Sequence, residues 1–337
     1  MSRLRTLVVM RVVAITATYG ESPRVRRMLA SLTRSMRNGS SQMPWSASVV
    51  VQPDDTGGRT QFDDIGDDVQ LIDVDENLGF AAANNLAVEQ SDSEYLAFLN
   101  PDLELTEGWL EPLIKALDDP AVAIAAPVLL TNEGRIDEAG QAVFSDGSSV
   151  AIGGAEWPCD EPRHSIMFDR DVDYASAACW LMRRSTFIEL GGFSNDYWPA
   201  YFEDNDFGQR VQQAGFVTRL VTASPVVHHR EGASADRRAI AERSRATFER
   251  NWADHLTTKP ARALLDSDPR QVRDHLCLMH HIEHVTTETI DELARAAVAD
   301  PRNRYIAVVP ESMSVWPLQK RYAASGLETV TSLPLGG

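Results

Sequence analysis

The feature that most constrains this chain is a rhythm in its first part. Short, β-branched apolar runs occupy residues 12–16, 48–51, 69–74 and 95–99, and each stops at a polar, turn-forming loop. Helix-forming segments follow the first run, with Ser22 as N-cap and Pro23 as first helical residue through to about residue 37, and then occupy residues 81–90 and 107–117. Strands separated by helices return in the same direction, so the pattern predicts an α/β fold with a mostly parallel central sheet flanked by helices. Ligands of such sheets bind beyond the carboxyl ends of the strands. This chain places its Asp, Asn and Gly residues there.

The rhythm loosens further on. An apolar run at residues 121–130 leads into residues 131–170, rich in Gly, Ser, Asp and Pro, which read as long loops or a short antiparallel excursion. Order resumes at Tyr174, with helices at 184–190 and 205–214, closed by Gly191-Gly192 and Gly215, and strands at 218–221 and 225–228. A charged helix spans about residues 236–255. Beyond Lys259-Pro260 the composition shifts to helical segments at 261–265, 269–284 and 289–299 and a strand at 305–309. The expected organisation is one large domain over residues 1–258 and a mainly helical appendage of unknown role over 259–337.

Composition excludes several classes. With 337 residues and 43% hydrophobic content the chain can bury a sizeable core. A net charge of −17 argues against nucleic-acid binding, which needs a basic face. Three cysteines at unrelated spacings make no disulfide framework, and no apolar run reaches the ~20 residues of a membrane span. No signal peptide is evident, so a cytoplasmic location is expected. Residues 1–37, however, carry eight arginines against Glu21 alone. Such a segment is either a solvated helix face or a peripheral contact with the inner face of the plasma membrane.

Four motifs carry chemistry. Asn100-Pro101-Asp102 follows an apolar strand, where a carboxylate can hold Mg²⁺ or Mn²⁺ against a diphosphate or simply cap the turn. Glu203-Asp204-Asn205-Asp206 begins a helix beside Tyr197, Trp198, Tyr201 and Phe202. Crowded carboxylates suit proton transfer, while Asp206 fits an ordinary i,i+4 pair with Arg210. The loop Asp75-Glu76-Asn77-Leu78-Gly79-Phe80 precedes a helix whose free N–H groups suit an anion, or is a plain strand-to-helix connection. His228-His229 ends a strand, where an imidazole can complete a metal's ligand set. A fifth cluster, His275, Cys277, His280, His281 and His284, would place His280 and His284 on one helix face, as a zinc pair or as a packed or solvated helix.

Taken in order and spacing, the first four motifs over about residues 11–255 resemble glycosyltransferase family 2, in particular its rhamnosyltransferase-like bacterial members. The resemblance implies a GT-A fold and an inverting transfer of a sugar, rhamnose or another hexose, from a UDP- or dTDP-sugar. The acceptor hydroxyl would belong to a cell-surface glycan or a lipid-linked saccharide. It implies Asp204 as general base within the acidic pair Glu203-Asp204. Asp102 and His229, with His228 as fallback, become the metal's ligands, and Thr18, Tyr19, Asp54, Asn77, Gly79, Asn84, Asn100 and Asp102 the donor-binding set. Trp180, Trp198 and Tyr201 fall on the acceptor side. Two positions depart from the pattern: Gln52-Pro53 stands where Asp-Asn is usual, and Asn100 replaces a first aspartate. Gln52-Pro53 motivates a rival reading as a nucleotide-sugar-binding scaffold without turnover. A dehydrogenase or a nucleoside triphosphatase would need a glycine-rich loop after the first strand, and Thr16-Ala17-Thr18-Tyr19-Gly20-Glu21 is not one.

Overall fold

The computed structural model describes residues 11–20, 22–39, 43–62, 65–157, 166–231, 237–273, 278–281, 286–299, 305–309, 315–325 and 327–331. Its first half follows the expected alternation: β1 (Val12–Ala17), α1 (Pro23–Asn38), β2 (Trp45–Val51), β3 (Val69–Asp73), α2 (Gly79–Glu89) and β4 (Tyr95–Leu99). Strands β3, β2, β1 and β4 are parallel neighbours in that order. Both faces are covered. Val12 and Ala14 pack with α1, whereas Val13 and Ile15 pack with α2, the period-two division of a strand buried on both sides.

After β4 come β5 (Leu103–Leu105), α3 (Leu110–Ala116), β6 (Val122–Leu130), β7 (Ile136–Glu138), β8 (Gln141–Val143), β9 (Ser149–Ala151), β10 (Arg170–Val172), β11 (Cys179–Arg183), α4 (Arg184–Glu189), α5 (Glu203–Gln213) and β12 (Val217–His228). The sheet grows to ten strands in the order β10-β12-β6-β11-β4-β1-β2-β3, with β5 on β12 and β7 on β6. Strand β11 is the joint. It runs antiparallel between β4 and β6, while β6 and β12 are again parallel. Within the excursion expected at residues 131–170 the described residues include the short strands β7, β8 and β9 and the start of β10, and the two strands expected at 218–228 are one strand with an irregularity between Val221 and Pro225. Ser22 occupies the N-cap position of α1 without a side-chain cap, its N–H instead reaching Thr60 Oγ1 at 2.8 Å.

The chain continues through α6 (Arg237–Asn251), α7 (Ala253–Leu256), α8 (Leu264–Ser267), α9 (Pro269–Arg273), β13 (Leu278–His281), α10 (Thr287–Ala299), β14 (Tyr305–Val309), α11 (Val315–Tyr322) and β15 (Leu327–Thr331). The appendage thus contains a three-stranded parallel sheet, β13-β14-β15, beside its helices. It packs on the main body: Leu265 and Val272 join the cluster around Phe144, and Ile306 and Val308 meet Phe168. The helix expected over 269–284 ends at Arg273, and His280 lies in β13. His280 therefore offers no helix face; His275, Cys277 and His284 lie outside the described residues. No helix among the described residues is long and apolar enough to cross a membrane. Of the N-terminal arginines, Arg27 pairs with Glu231 at 2.8 Å and Arg34 with Glu104 at 3.4 Å, so part of that charge is met within the protein. Arg3 and Arg5 lie outside the described residues.

Candidate functional site

Several strand ends meet at one edge of the sheet. Strand β4 delivers Asn100-Pro101-Asp102 there, and the chain folds back at once as β5, whose Leu103 pairs with His228 at the end of β12. The His229 N–H donates to the Asp102 carbonyl at 3.0 Å, closing the register. Because β11 is antiparallel, its amino end arrives at this same edge, and the Asn100 N–H donates to the Ala178 carbonyl at 2.8 Å. Strand β7 reaches it by pairing with the end of β6, Glu138 opposite Leu129. Topology has gathered residues far apart in sequence.

The first turn of α5 completes the edge. Tyr201 and Phe202 both take left-handed backbone conformations, each with φ 72°. Bulky residues there cost roughly 1–3 kcal/mol each. The double reversal aims the N-terminus of α5 at the strand ends, so that Asp204 Oδ2 accepts the Ala177 N–H at 3.2 Å and Oδ1 the Asn205 N–H at 2.8 Å. Asp206 anchors the turn from behind. Its Oδ1 accepts from Tyr197 Oη at 3.0 Å and Trp252 Nε1 at 2.9 Å, and its Oδ2 from Arg210 Nε at 2.9 Å, the pairing expected from the sequence.

These groups enclose a cavity of about 760 Å³, a size suited to a small-molecule ligand. Tyr19, Asn100, Asp102, Tyr201, Glu203 and Asp204 from the predicted set line it. Asp137, Glu138, His228 and three arginines, Arg24, Arg230 and Arg237, line it too. The acidic spots around positions 102 and 204 therefore share one cleft.

The wall is electrostatically tense. Burial raises the pKa of Asp204 against the hydrogen bonds from Ala177 and Asn205, and burial with the charges of Asp204 and Asp206 raises Glu203 well above the usual carboxylate range. Glu203 Oε2 is buried without a hydrogen-bond partner among the described residues. Glu138 is pushed up to about 7, chiefly by burial and further by the charge of Asp204, against hydrogen bonds from Ser176 and Gln141. Burial alone would lower His228, but hydrogen bonds and charge from Asp102 and Asp137 win and hold it at about 9. Its Nδ1 is 3.0 Å from Asp137 Oδ2 and its Nε2 3.6 Å from Asp102 Oδ1. Asp137 also binds Arg230 Nε at 2.6 Å, so a carboxylate orients the imidazole from behind.

This geometry bears on metal binding. Two ligands at ~2.1 Å and right angles around Mg²⁺ lie about 3 Å apart, and the separation of 3.6 Å between Asp102 Oδ1 and His228 Nε2 suits such a pair. No group of three or more His, Cys, Asp or Glu residues among those described is placed to hold an ion unaided. Diphosphate oxygens and water would have to supply the remaining positions. His229, predicted as the ligand, is instead turned to the other side: its Nε2 is buried, 3.4 Å from Glu104 Oε2 and without a hydrogen bond. The alternation of side chains at a strand end makes this an either-or choice, and His228 takes the cavity.

Several other predicted residues are framework. Trp180 is 0% exposed, packed against Phe193 and Phe207, and its Nε1 donates to the Ala175 carbonyl, so it presents nothing to an acceptor. Gly79 has φ 78°, and a Cβ there would lie 2.7 Å from the Pro199 carbonyl, so the backbone approaches the protein itself closely here. Asn77 Oδ1 accepts the Gly79 N–H at 2.9 Å, and Asn84 is buried, donating to the Phe80 carbonyl. Trp198 is 54% exposed and donates to the Asn77 carbonyl at 3.3 Å. Thr18 is buried. Asp54 spends its Oδ1 on Thr56 and Gly58, which, with the Thr56 side chain first, lower its pKa. Gln52 links these loops: its Nε2 donates to the Thr18 carbonyl at 3.0 Å and its Oε1 accepts the Leu78 N–H at 2.8 Å.

Sequence reasoning missed Asp137 and Glu138. Their signal was an acidic pair two residues ahead of Gly140, whose φ of 82° and contact with Val172 leave no room for a Cβ. Only the register of β7 on β6 shows where the pair points.

Comparison with known proteins agrees with this architecture. The family model described as glycosyl transferase family 2 matches residues 13–191, more than half of the chain. The N-acetylglucosaminyl-diphospho-decaprenol L-rhamnosyltransferase of Mycobacterium tuberculosis (strain H37Rv) is 26% identical over 245 residues, 64% of this chain and 75% of that protein. The rhamnosyltransferase WbbL of Escherichia coli (strain K12) is 28% identical over 183 residues, 50% of this chain and 69% of that protein. A crystal structure of GalNAc-T7 with UDP, GalNAc and Mn²⁺ superposes with a TM-score of 0.55 at 12% identity, covering 74% of this chain and 50% of that one. The shared fold is GT-A.

Proposed function

Because this chain belongs to glycosyl transferase family 2 and is a glycosyltransferase, we propose that it inverts a sugar centre, using Asp204 as general base against a donor diphosphate anchored at Asp102. The observation that carries this reading is the convergence of Asp102, His228 and Asp204 on one cavity. The two ends of a displacement need different chemistry, a proton acceptor at the attacking oxygen and a positive site at the departing oxygen. The lining of the one cavity offers both, Asp204 for the first and Asp102 with His228 for the second.

In this reading the donor is a UDP- or dTDP-sugar, and the acceptor a saccharide hydroxyl, lipid-linked by analogy with the mycobacterial relative, whose name specifies a diphospho-decaprenol-linked sugar. Asp204, held by two backbone N–H groups, faces the acceptor and takes its proton. The acceptor oxygen forms the new bond at the anomeric carbon as the bond to the diphosphate breaks, with the electron pair leaving on the diphosphate. Asp102 and His228 would hold Mg²⁺ or Mn²⁺, which supplies charge neutralisation at the leaving group when bound. Asp137 keeps the His228 ring in place. Arg24 and Arg230 add positive charge to the same side of the cavity. The half-buried Tyr201, which lines the cavity with Asp204, offers ring surface for a sugar.

Nuclear magnetic resonance of the product's anomeric centre tests the reading, with UDP- and dTDP-sugars screened against a diphospholipid-linked saccharide. Inverted configuration, with turnover that EDTA abolishes and Mn²⁺ or Mg²⁺ restores, is expected. Retained configuration, or turnover indifferent to chelation, overturns it.

A further inference from the structure

Glu138 belongs to none of the sequence motifs, yet it stands on the cavity wall with only 3% of its surface exposed. Its Oε1 accepts the Ser176 N–H at 2.7 Å and its Oε2 accepts from Gln141 Nε2 at 2.5 Å. The next N–H along, that of Ala177, goes to Asp204. Two carboxyl groups, one from β7 and one from α5, thus grip adjacent peptide groups of the segment that leads into β11.

We propose that Glu138 is a positioning residue for the transfer step: by holding Ser176 it fixes the Ala177 N–H that orients Asp204, and its charge sets how strongly Asp204 holds the acceptor's proton. The inference rests on Asp204 being the base. The groups acting on Glu138 are Gln141 from β8, the Ser176 N–H, Asp204 from α5 and His228 from β12. Tyr174, whose Oη lies 2.9 Å from Ser149 Oγ, feels the charges of both Glu138 and Asp204. The neighbouring Asp137 is turned toward His228 and Arg230. Asp204 and Glu138 are like charges in a dry wall, so each makes the other's proton harder to lose. Before transfer, an ionised Glu138 strengthens Asp204 as a base. Once the acceptor's proton is on Asp204, the repulsion with the ionised Glu138 is gone.

The test is the pH profile of kcat/KM for the full-length chain, with melting temperature and donor KM measured on the same samples. Glu138→Gln keeps an acceptor for Ser176 but cannot carry charge. It is expected to move the ascending limb about one pH unit lower and to cut the plateau roughly 3–10-fold, with donor KM unchanged. Glu138→Ala, which also orphans the Ser176 N–H, falls further. Gln141→Leu removes a hydrogen bond that favours ionised Glu138, moves the limb the same way by less, and decides the question if Glu138→Gln does not fold. A Glu138→Gln profile superimposable on wild type, or an activity loss accounted for by donor KM, overturns the proposal. Asp204→Asn is run alongside. If it keeps near-native turnover, the base assignment falls and takes this inference with it; if it is inactive while Glu138→Gln is unchanged, only the role of Glu138 falls.

Discussion

The two sides of the cleft use polar residues in opposite ways. On the side formed by the loops after β1, β2 and β3, the polar groups are spent on one another: Gln52 on Thr18 and Leu78, Asp54 on Thr56 and Gly58, Asn77 on Gly79. On the side formed by β7, β11, β12 and α5, carboxyl groups are buried beyond what their partners satisfy, with raised pKa values at Glu138, Glu203 and Asp204 and an orphaned Glu203 Oε2. A satisfied wall gives shape. An unsatisfied wall holds protons and reactivity, because crowded carboxyl groups in a dry environment cannot all ionise. The comparison predicts that substitutions on the first side weaken folding or binding, while those on the second change chemistry or its pH dependence.

The adjacent histidines sharpen this contrast. His228→Ala should lower metal-dependent turnover roughly 10–100-fold, the scale of losing a ligand and its orienting partner, whereas His229→Ala should stay within about 3-fold. Steady-state rates across a Mn²⁺ titration distinguish them, and equal losses would break the assignment of His228 to the cavity. Trp180→Ala tests the core. It should cost about 3–5 kcal/mol in chemical denaturation, as for other large buried aromatics, with no selective loss of acceptor affinity. An acceptor-specific defect in a stable variant would restore Trp180 to the site.

Glu138 gives the next step down. Its folded pKa is raised, to about 7, so its contribution to stability is full below the ordinary carboxylate value of 4.5 and is lost as pH rises through 7. For the metal-free protein, about 3 kcal/mol should separate the pH dependence of wild type from that of Glu138→Gln between pH 4.5 and 8. Parallel melting curves for the two would contradict it. The smallest effect belongs to the satisfied wall: Gln52→Ala leaves the Leu78 N–H and the Thr18 carbonyl without their partner and should cost about 1–3 kcal/mol of stability or of donor binding. A catalytic defect with both intact would mean that this wall does chemistry too.

Much of this was legible in the sequence for a physical reason. Strands such as Val12–Ala17 and Tyr95–Leu99 are buried on both faces and cannot disguise their apolar runs, and the glycine-closed helix at α5 carries its own stop signal. The acidic spots at Asp102 and Glu203-Asp204 stood out because local sequence puts them at element ends. What sequence could not show was register. Strand β11 enters antiparallel, β7 folds onto β6, and one residue of phase on β12 decides between His228 and His229; each is set by pairing across long separations. Gly79 misled for the same reason. A positive φ announces a close approach, and only the fold says whether the neighbour is a ligand or Pro199.

The central claim is that one cavity joins a leaving-group anchor at Asp102 to a proton acceptor at Asp204. The most direct measurement pairs Mn²⁺-dependent nucleoside diphosphate binding, by calorimetry, with single-turnover transfer for Asp102→Ala and Asp204→Asn. Asp102→Ala should lose both together, while Asp204→Asn should bind as wild type does and transfer about 10²–10⁴-fold more slowly. Transfer by Asp204→Asn at near-native rate, or its loss of nucleotide binding in step with Asp102→Ala, would contradict the account.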